Sequence, residues 1–389
     1  MMSEPTSHSP VCLTGEYILD YTMESLQRHF EFSVHGYRCT TKDLWRALVC
    51  AAARRQTIES VCNDLTGMPD ANTVRGHVAA QRGIAAIADI ERRCNQALQE
   101  QLPDWFLQQA QQVALDWHDE PYYGRCAQDD ADNWVCRGRA KDGTTHFYRC
   151  ATAYVIRKGL RLTLAVVFVK SGIAMEEIVQ RLITRVRALG VRIQRLYLDK
   201  GFLSVAILRY LCAQALPAII AVPLSTGSGG VRTLCRGHSG YRTKHTFRNP
   251  QHGEVTVDLV LARTYAYVRS KHRRATWCAY ACLNVPEPAQ RIRQLYRRRF
   301  GIESQYRMME QVRARTTSLS AALRFLLMGL ALLILNVRVK LHWLFLRLPG
   351  PGPRRVVSWK LRLDRMARLL SRAVEHHYGA VTHVVAVTT

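Results

Sequence analysis

The spacing of apolar residues changes near residue 113, and that change constrains the fold more than any other feature of the chain. Before it, Leu44, Trp45, Leu48 and Val49, then Ile58, Val61, Cys62 and Leu65, recur at helical spacing. After it, residues 113–117 read as a short apolar strand that ends in an acidic loop. Residues 146–156 and 160–169, rich in Val, Thr, Tyr and Phe, read as antiparallel strands joined at Lys158-Gly159. An amphipathic helix follows over 175–189, with Ile178, Leu182, Ile183 and Val186 on one face. Then come a strand at 196–199, a helix at 203–214 and a strand at 218–222.

Three strands followed by alternating helix and strand predict an α/β fold whose core is a ribonuclease H-like mixed sheet. That order divides the chain into five parts. Residues 1–108 form a helical N-terminal region, and 109–222 the first part of the core. Residues 223–284 are a β-rich insertion, opened by Gly227-Ser228-Gly229-Gly230, with strands at 255–261 and 276–283. Residues 285–346 carry the last core helices, the first running over 288–312. Pro349-Gly350-Pro351-Gly352-Pro353 then breaks to a basic tail at 347–389, where Arg362, Arg365, Arg368 and Arg372 form a stripe opposite Met366, Leu369 and Leu370. Within the first region, a helix at 57–65, a turn at 66–69 and a helix at 72–78 have the spacing of a helix-turn-helix. Asn72, Arg75 and His77 stand on its second helix, the place of base or phosphate contacts.

Charge selects the partner. Lys and Arg number 55 against 30 Asp and Glu, a formal net charge of +25. An excess made mostly of arginine suits the phosphates of nucleic acid. The polar start of the chain (residues 1–10) does not read as a signal sequence, and twelve scattered cysteines fit reduced thiols in a cytoplasmic, nucleoid-associated protein. Cys235, His238, Cys278 and Cys282 are a loose arrangement for zinc. The longest apolar run, 325–335, is shorter than the ~20 residues of a membrane span and reads as a buried helix, so no membrane is expected as a partner.

Carboxylates carry the chemistry. Asp116 follows Val113-Ala114-Leu115, and Asp199 follows Leu196-Tyr197-Leu198. An ionised Asp at the tip of a buried strand is costly to desolvate unless something positive meets it. Two such tips in one sheet point to divalent cations, which need rigidly placed carboxylate oxygens. Asp119 and Glu120 compete for the first position, and Asp116 is favoured because it adjoins the apolar run. His118 reads as a polar loop residue. Tyr296, Arg299 and Glu303 stand at i, i+3 and i+7, on one face of a helix. Trp277 has two readings, a stacking platform for an unpaired base or a core residue.

The block Leu115-Asp116-Trp117-His118-Asp119-Glu120-Pro121-Tyr122-Tyr123-Gly124, the block Asp199-Lys200-Gly201-Phe202 and the Tyr-x2-Arg-x3-Glu run resemble three signature blocks of one family. They are those of the DDE-type insertion-sequence transposases of bacteria and archaea, whose last block has a Y-R-E-K signature with a β-rich insertion before the glutamate. The resemblance spans residues 110–345. It implies two Mg2+ (or Mn2+) ions held by Asp116, Asp199 and Glu303 in a ribonuclease H-like core. It also implies contacts from Tyr296 and Arg299 to phosphate, and cleavage at terminal inverted repeats with transfer of the freed 3′-hydroxyl to target DNA. A homodimer on DNA is the implied assembly. The signature lysine falls at Glu310, and Arg307 or Arg313 is the nearby replacement.

Overall fold

The computed structural model describes residues 12–34, 37–80, 84–125, 132–157, 160–224, 230–267, 273–350 and 355–383. The expected turn at Lys158-Gly159, Gly227-Ser228-Gly229 of the insertion, Pro351-Gly352-Pro353 and the first ten residues lie outside them. In chain order the helices are α1 (Gly15–His29), α2 (Thr41–Arg54), α3 (Ile58–Asp64), α4 (Ala71–Ala80), α5 (Ile84–Glu100), α6 (Met175–Ala188), α7 (Val205–Ala213), α8 (Ala289–Arg297), α9 (Gly301–Glu310), α10 (Ala321–Phe345) and α11 (Leu363–Tyr378). The strands are β1 (Gln111–Pro121), β2 (Val135–Lys141), β3 (Thr144–Val155), β4 (Thr163–Val169), β5 (Ile193–Leu198), β6 (Ala218–Val222), β7 (Tyr241–Asn249), β8 (Gly253–Tyr267) and β9 (Arg273–Leu283). They fall into two compact units, residues 102–307 and residues 1–101 with 308–389.

In the unit 102–307 the described strands form one nine-stranded sheet, ordered β2-β3-β1-β5-β6-β9-β8-β7, with β4 paired to β3. Strands β2 and β4 lie end to end along the outer edge of β3: Val135 pairs with Tyr148, and Val169 with Arg149. β1 runs antiparallel to β3 and parallel to β5, and β5 runs parallel to β6. The fold is therefore mixed α/β. β4 is buried at every position, as a strand covered on both faces must be. Ile178, Val179, Leu182, Ile183 and Val186 are buried on α6, the face its sequence period marks.

Three features depart from the sequence reading. First, the segment 223–284, read as a β-rich insertion, adds its strands to the core sheet itself. β9 pairs antiparallel with β6, Ile219 opposite Cys282, and so continues the core sheet through β8 to β7. An unpaired β6 edge would leave a row of backbone donors and acceptors open. At the new edge, β7 carries Arg242, Lys244 and Arg248, paired with Asp258 and Glu254 of β8. Second, the zinc arrangement does not close. Cys278 and Cys282 both lie on β9, four residues of extended chain and so about 13 Å apart. Third, the helix expected over 288–312 is interrupted: a 3-10 turn, Arg298–Phe300, separates α8 from α9.

The other unit is helical. Thr40 and Asp43 cap α2 reciprocally, and Thr57 caps α3. α10 packs along α5, where a Cβ on Gly329 would press on Cys94 Sγ, so a larger residue there must displace that thiol. Residues 308–346, expected with the core, thus belong with the N-terminal helices, because the apolar surface of α10 finds its cover there. By length and hydropathy α10 could cross a membrane, longer than the apolar run alone implied, and 94% of its most apolar stretch is buried within the structure. The C-terminal segment is no detached tail either. α11 packs on α1 and α2 through Met366, Leu370 and Val374, with Arg362, Arg365, Arg368 and Arg372 exposed. Its end closes the turn between α3 and α4, where the amides of Thr66 and Gly67 donate to the carbonyls of Gly379 and Tyr378.

One buried histidine in this unit sets a pH dependence. His342 on α10 is 4% exposed and donates from Nε2 to the Leu361 carbonyl at 2.8 Å. Burial pushes its pKa down to about 4, from an ordinary value of 6.5. The unfolded chain therefore binds a proton that the folded chain refuses. His342 costs nothing above pH 6.5, and stability is lost as pH falls from 6.5 towards 4. At pH 4.5 the loss is on the order of 2–3 kcal/mol, from ~1.4 kcal/mol per pKa unit. His342→Gln keeps a donor for Leu361 without a titrating ring. The difference between unfolding free energies at pH 7 and 4.5, measured in urea, should be smaller in the variant than in wild type by about that amount.

Candidate active site

Strand β1 runs further than its apolar core implies, and the extension sorts its acids by face. Side chains alternate along a strand, so Asp116, His118 and Glu120 face one way and Trp117 and Asp119 the other. Asp119 accepts two hydrogen bonds from Arg149, at 2.6 and 3.2 Å, and is committed to that pair. His118 stacks on the Tyr306 ring at 5.1 Å, so it is a packed strand residue and not part of a loop. The centre is built on the other face residue, Asp116.

Three carboxylates meet one guanidinium. Arg299 Nη1 lies 2.8 Å from Asp116 Oδ2, and Nη2 lies 3.4 Å from Asp199 Oδ1 and 3.1 Å from Glu303 Oε1. The Arg299 side chain is only 5% exposed, and Asp116 14%, whereas Asp199 and Glu303 keep 36% and 41%. Burial pushes the Asp116 carboxyl up to about 6, against the pull of Arg299 and of the Trp117 amide, which donates to Oδ1 at 2.9 Å. The charge of Asp199 adds to the rise.

Two tyrosines pin the strands that carry the acids. Tyr296 on α8 donates its hydroxyl to the Leu198 carbonyl at 3.1 Å, directly before Asp199. Tyr306 on α9 donates to the carbonyl of Asp116 itself at 2.9 Å, with Thr152 of β3 2.7 Å from the same hydroxyl. Tyr296 is 6% exposed and spends its hydroxyl on the backbone, so in this geometry it positions β5 instead of meeting phosphate. Arg299 is likewise buried among carboxylates and not presented to phosphate. Sequence reasoning missed Tyr306, although it stands three residues after Glu303, on the same helical face.

The loop after Asp199 depends on a close approach. A Cβ on Gly201 would lie 2.9 Å from two ring carbons of Trp117. That ring is held by Phe202, centroids 4.7 Å apart, and by the Arg149 guanidinium at 5.1 Å. Gly201→Ala must displace the ring or the loop beside Asp199. We expect a cost of about 1–3 kcal/mol, read as a lower urea midpoint, and Trp117→Leu in the same chain should recover part of it.

The remaining expected residues lie elsewhere. Asn72 and Arg75 are on α4, where Arg75 donates to Asn72 Oδ1 at 2.5 Å and to Glu59 at 2.6 Å. Arg307 is exposed on α9. Arg313 pairs with Glu310 at 2.9 Å, so the acid at the signature lysine position is matched by a neighbouring base. Trp277 is half-buried on β9, its ring edge-on to Tyr241 at 6.4 Å.

Among the described residues no three His, Cys, Asp or Glu side chains close on one another as a metal shell; Arg299 stands between the three acids. The donor set nevertheless fits a hard divalent cation. All three ligands are carboxylate oxygens, and one guanidinium leaves two of their three ionised charges unmatched.

Comparison with known proteins bears on this arrangement. No curated protein matches the chain. Its fold is similar to that in a cryo-EM structure of piggyBac transposase in a synaptic complex with hairpin DNA, with a TM-score of 0.54 at 12% identity, covering 94% of this chain and 79% of that one. The profile of the Transposase DDE domain matches residues 109–337, a stretch that takes in Asp116, Asp199 and Glu303. On that match over more than half its length, the chain belongs to the Transposase DDE domain family.

Proposed function

We propose that this transposase cuts DNA at the ends of its own element and joins them to a target, using Asp116, Asp199 and Glu303 in a ribonuclease H-like core. The observation that carries the reading is the convergence of three acids, from the middle of β1, the end of β5 and a helix, on one buried guanidinium. Asp116, Asp199 and Glu303 would hold the divalent cations, Mg2+ or Mn2+, two to a site. When bound, such ions supply an activated water or hydroxyl nucleophile and stabilise the leaving oxygen. The chain's own residues do the rest. Tyr296 and Tyr306 fix the backbone at the two strand-borne acids, and the packing of Trp117 against the loop after Asp199 keeps that loop in register. Arg299 holds the carboxylates together before cations arrive.

The excess of positive charge supports double-stranded DNA as the partner, both terminal inverted repeats and target. We assign sequence reading to the helices of residues 1–108, with Asn72 and Arg75 exposed on α4. Arg307 and Arg313 follow the last acid within ten residues of sequence. Pairing of two ends calls for a homodimer on DNA, in the nucleoid of a cytoplasm. Purified protein incubated with the terminal repeats flanking its gene, Mg2+ and a target plasmid should yield cut ends and joined products. Cutting without joining would replace the transposase reading of this site with a hydrolytic nuclease, and neither would overturn both.

A further inference from the structure

Within the unit 102–307 lies a cleft of about 550 Å3, lined in part by Gln111 and Gln112 at the start of β1. Its lining includes Arg157, Arg161 and Arg298 with the amides of Gln109, Gln112 and Gln194, and holds no acidic residue. The three arginines are exposed. Among the described residues no carboxylate pairs with any of them. Arg157 is steadied by a 2.6 Å bond to Gln109 Oε1, and Gln112 donates to Gln194 at 3.2 Å while accepting from Tyr197 at 3.0 Å. The Gln112 and Gln194 amides thus fix each other, Gln109 is held by Arg157, and the three cationic forks of the lining have no carboxylate beside them among the described residues. Elsewhere in this unit Arg149 is neutralised by Asp119, Arg195 by Glu287 and Arg242 by Asp258.

We propose that this cleft is a nucleic-acid subsite that grips the backbone of a DNA strand away from the cut. Guanidinium forks suit phosphate oxygens bidentately. The cleft is larger than a lone phosphate needs, and its lining carries three exposed arginines, enough for more than one phosphate of a backbone. Its place fits the same strand as the carboxylates. Gln112 precedes Asp116 by four residues on β1, about 13 Å of extended chain, which on a duplex is about four base-pair steps at 3.4 Å each. Arg298 also directly precedes Arg299 in one 3-10 turn. This inference rests on the DNA-cutting reading for its ligand, and not for its geometry.

The test uses the full chain and a fluorescent duplex carrying a terminal repeat, titrated over a range of salt concentrations. The variant Arg157→Gln, Arg161→Gln, Arg298→Gln should bind at least about tenfold more weakly. Its logarithmic salt slope should be shallower by about 2–3, from ~0.9 for each phosphate that an arginine neutralises. A charge-matched control, Lys170→Gln, Arg187→Gln, Arg209→Gln, removes three exposed cations on and beside α6 and α7 and should keep the wild-type slope. A cleft variant with the wild-type slope, or a control that loses as much, overturns the proposal. Cutting by wild type with no slope change in the cleft variant sinks the cleft alone. Slope loss without any cutting by wild type leaves the cleft standing and removes the catalytic reading.

Discussion

Asp199→Asn is expected to lower cleavage of terminal-repeat DNA by at least about a thousandfold while leaving the folded protein as stable as wild type. The second half of that result separates chemistry from folding. Asp199 is over a third exposed and stands farthest of the three acids from Arg299, at 3.4 Å. Its charge also works against Asp116, whose pKa it raises. Removing that charge relieves repulsion inside the cluster and gives up only a weak pair. Asp116→Asn is a poorer probe, because it takes the shortest partner from a guanidinium that is 5% exposed. Equal urea midpoints and a thousandfold difference in strand cleavage would place Asp199 in the reaction. Cleavage within tenfold of wild type would remove it.

Arg299→Gln carries the second large effect, and its direction depends on divalent cations. Without them the variant leaves Asp116, Asp199 and Glu303 facing one another with no positive charge. Breaking a buried ion pair costs about 3–5 kcal/mol; the solvent that Asp199 and Glu303 retain puts this case at the low end, about 3 kcal/mol. Added Mn2+ should then raise the melting temperature of the variant by more than that of wild type, since the cation no longer competes with a guanidinium. An equal rise in the two proteins, or none in either, would mean that Arg299 and the cation do not share the same three acids.

Much of the architecture was legible because apolar period is a local property. β6 at residues 218–222 and the buried face of α6 follow directly from spacing. What spacing does not carry is the choice of partner. The β9–β6 pairing joins residues some sixty apart in the chain, and nothing in either strand names the other. The same holds for α10, whose apolar surface announces burial without saying that α5 covers it. At the site, Asp116, Asp199 and Glu303 were legible as acids after apolar runs or in a signature run. The role of Tyr296 was not, because a tyrosine's period on a helix does not say whether its hydroxyl meets a ligand or a backbone carbonyl. The 3-10 turn at Arg298–Phe300 also escaped the helical period, and it is this turn that carries Arg299 between the acids.

The centre itself is best tested by growing crystals of the protein with terminal-repeat DNA and Mn2+ and collecting anomalous diffraction at the manganese edge. We predict anomalous density among the carboxylates of Asp116, Asp199 and Glu303, with the Arg299 guanidinium moved off at least one of them. Manganese bound elsewhere, with Arg299 still joined to all three acids on a DNA substrate, would contradict the assignment.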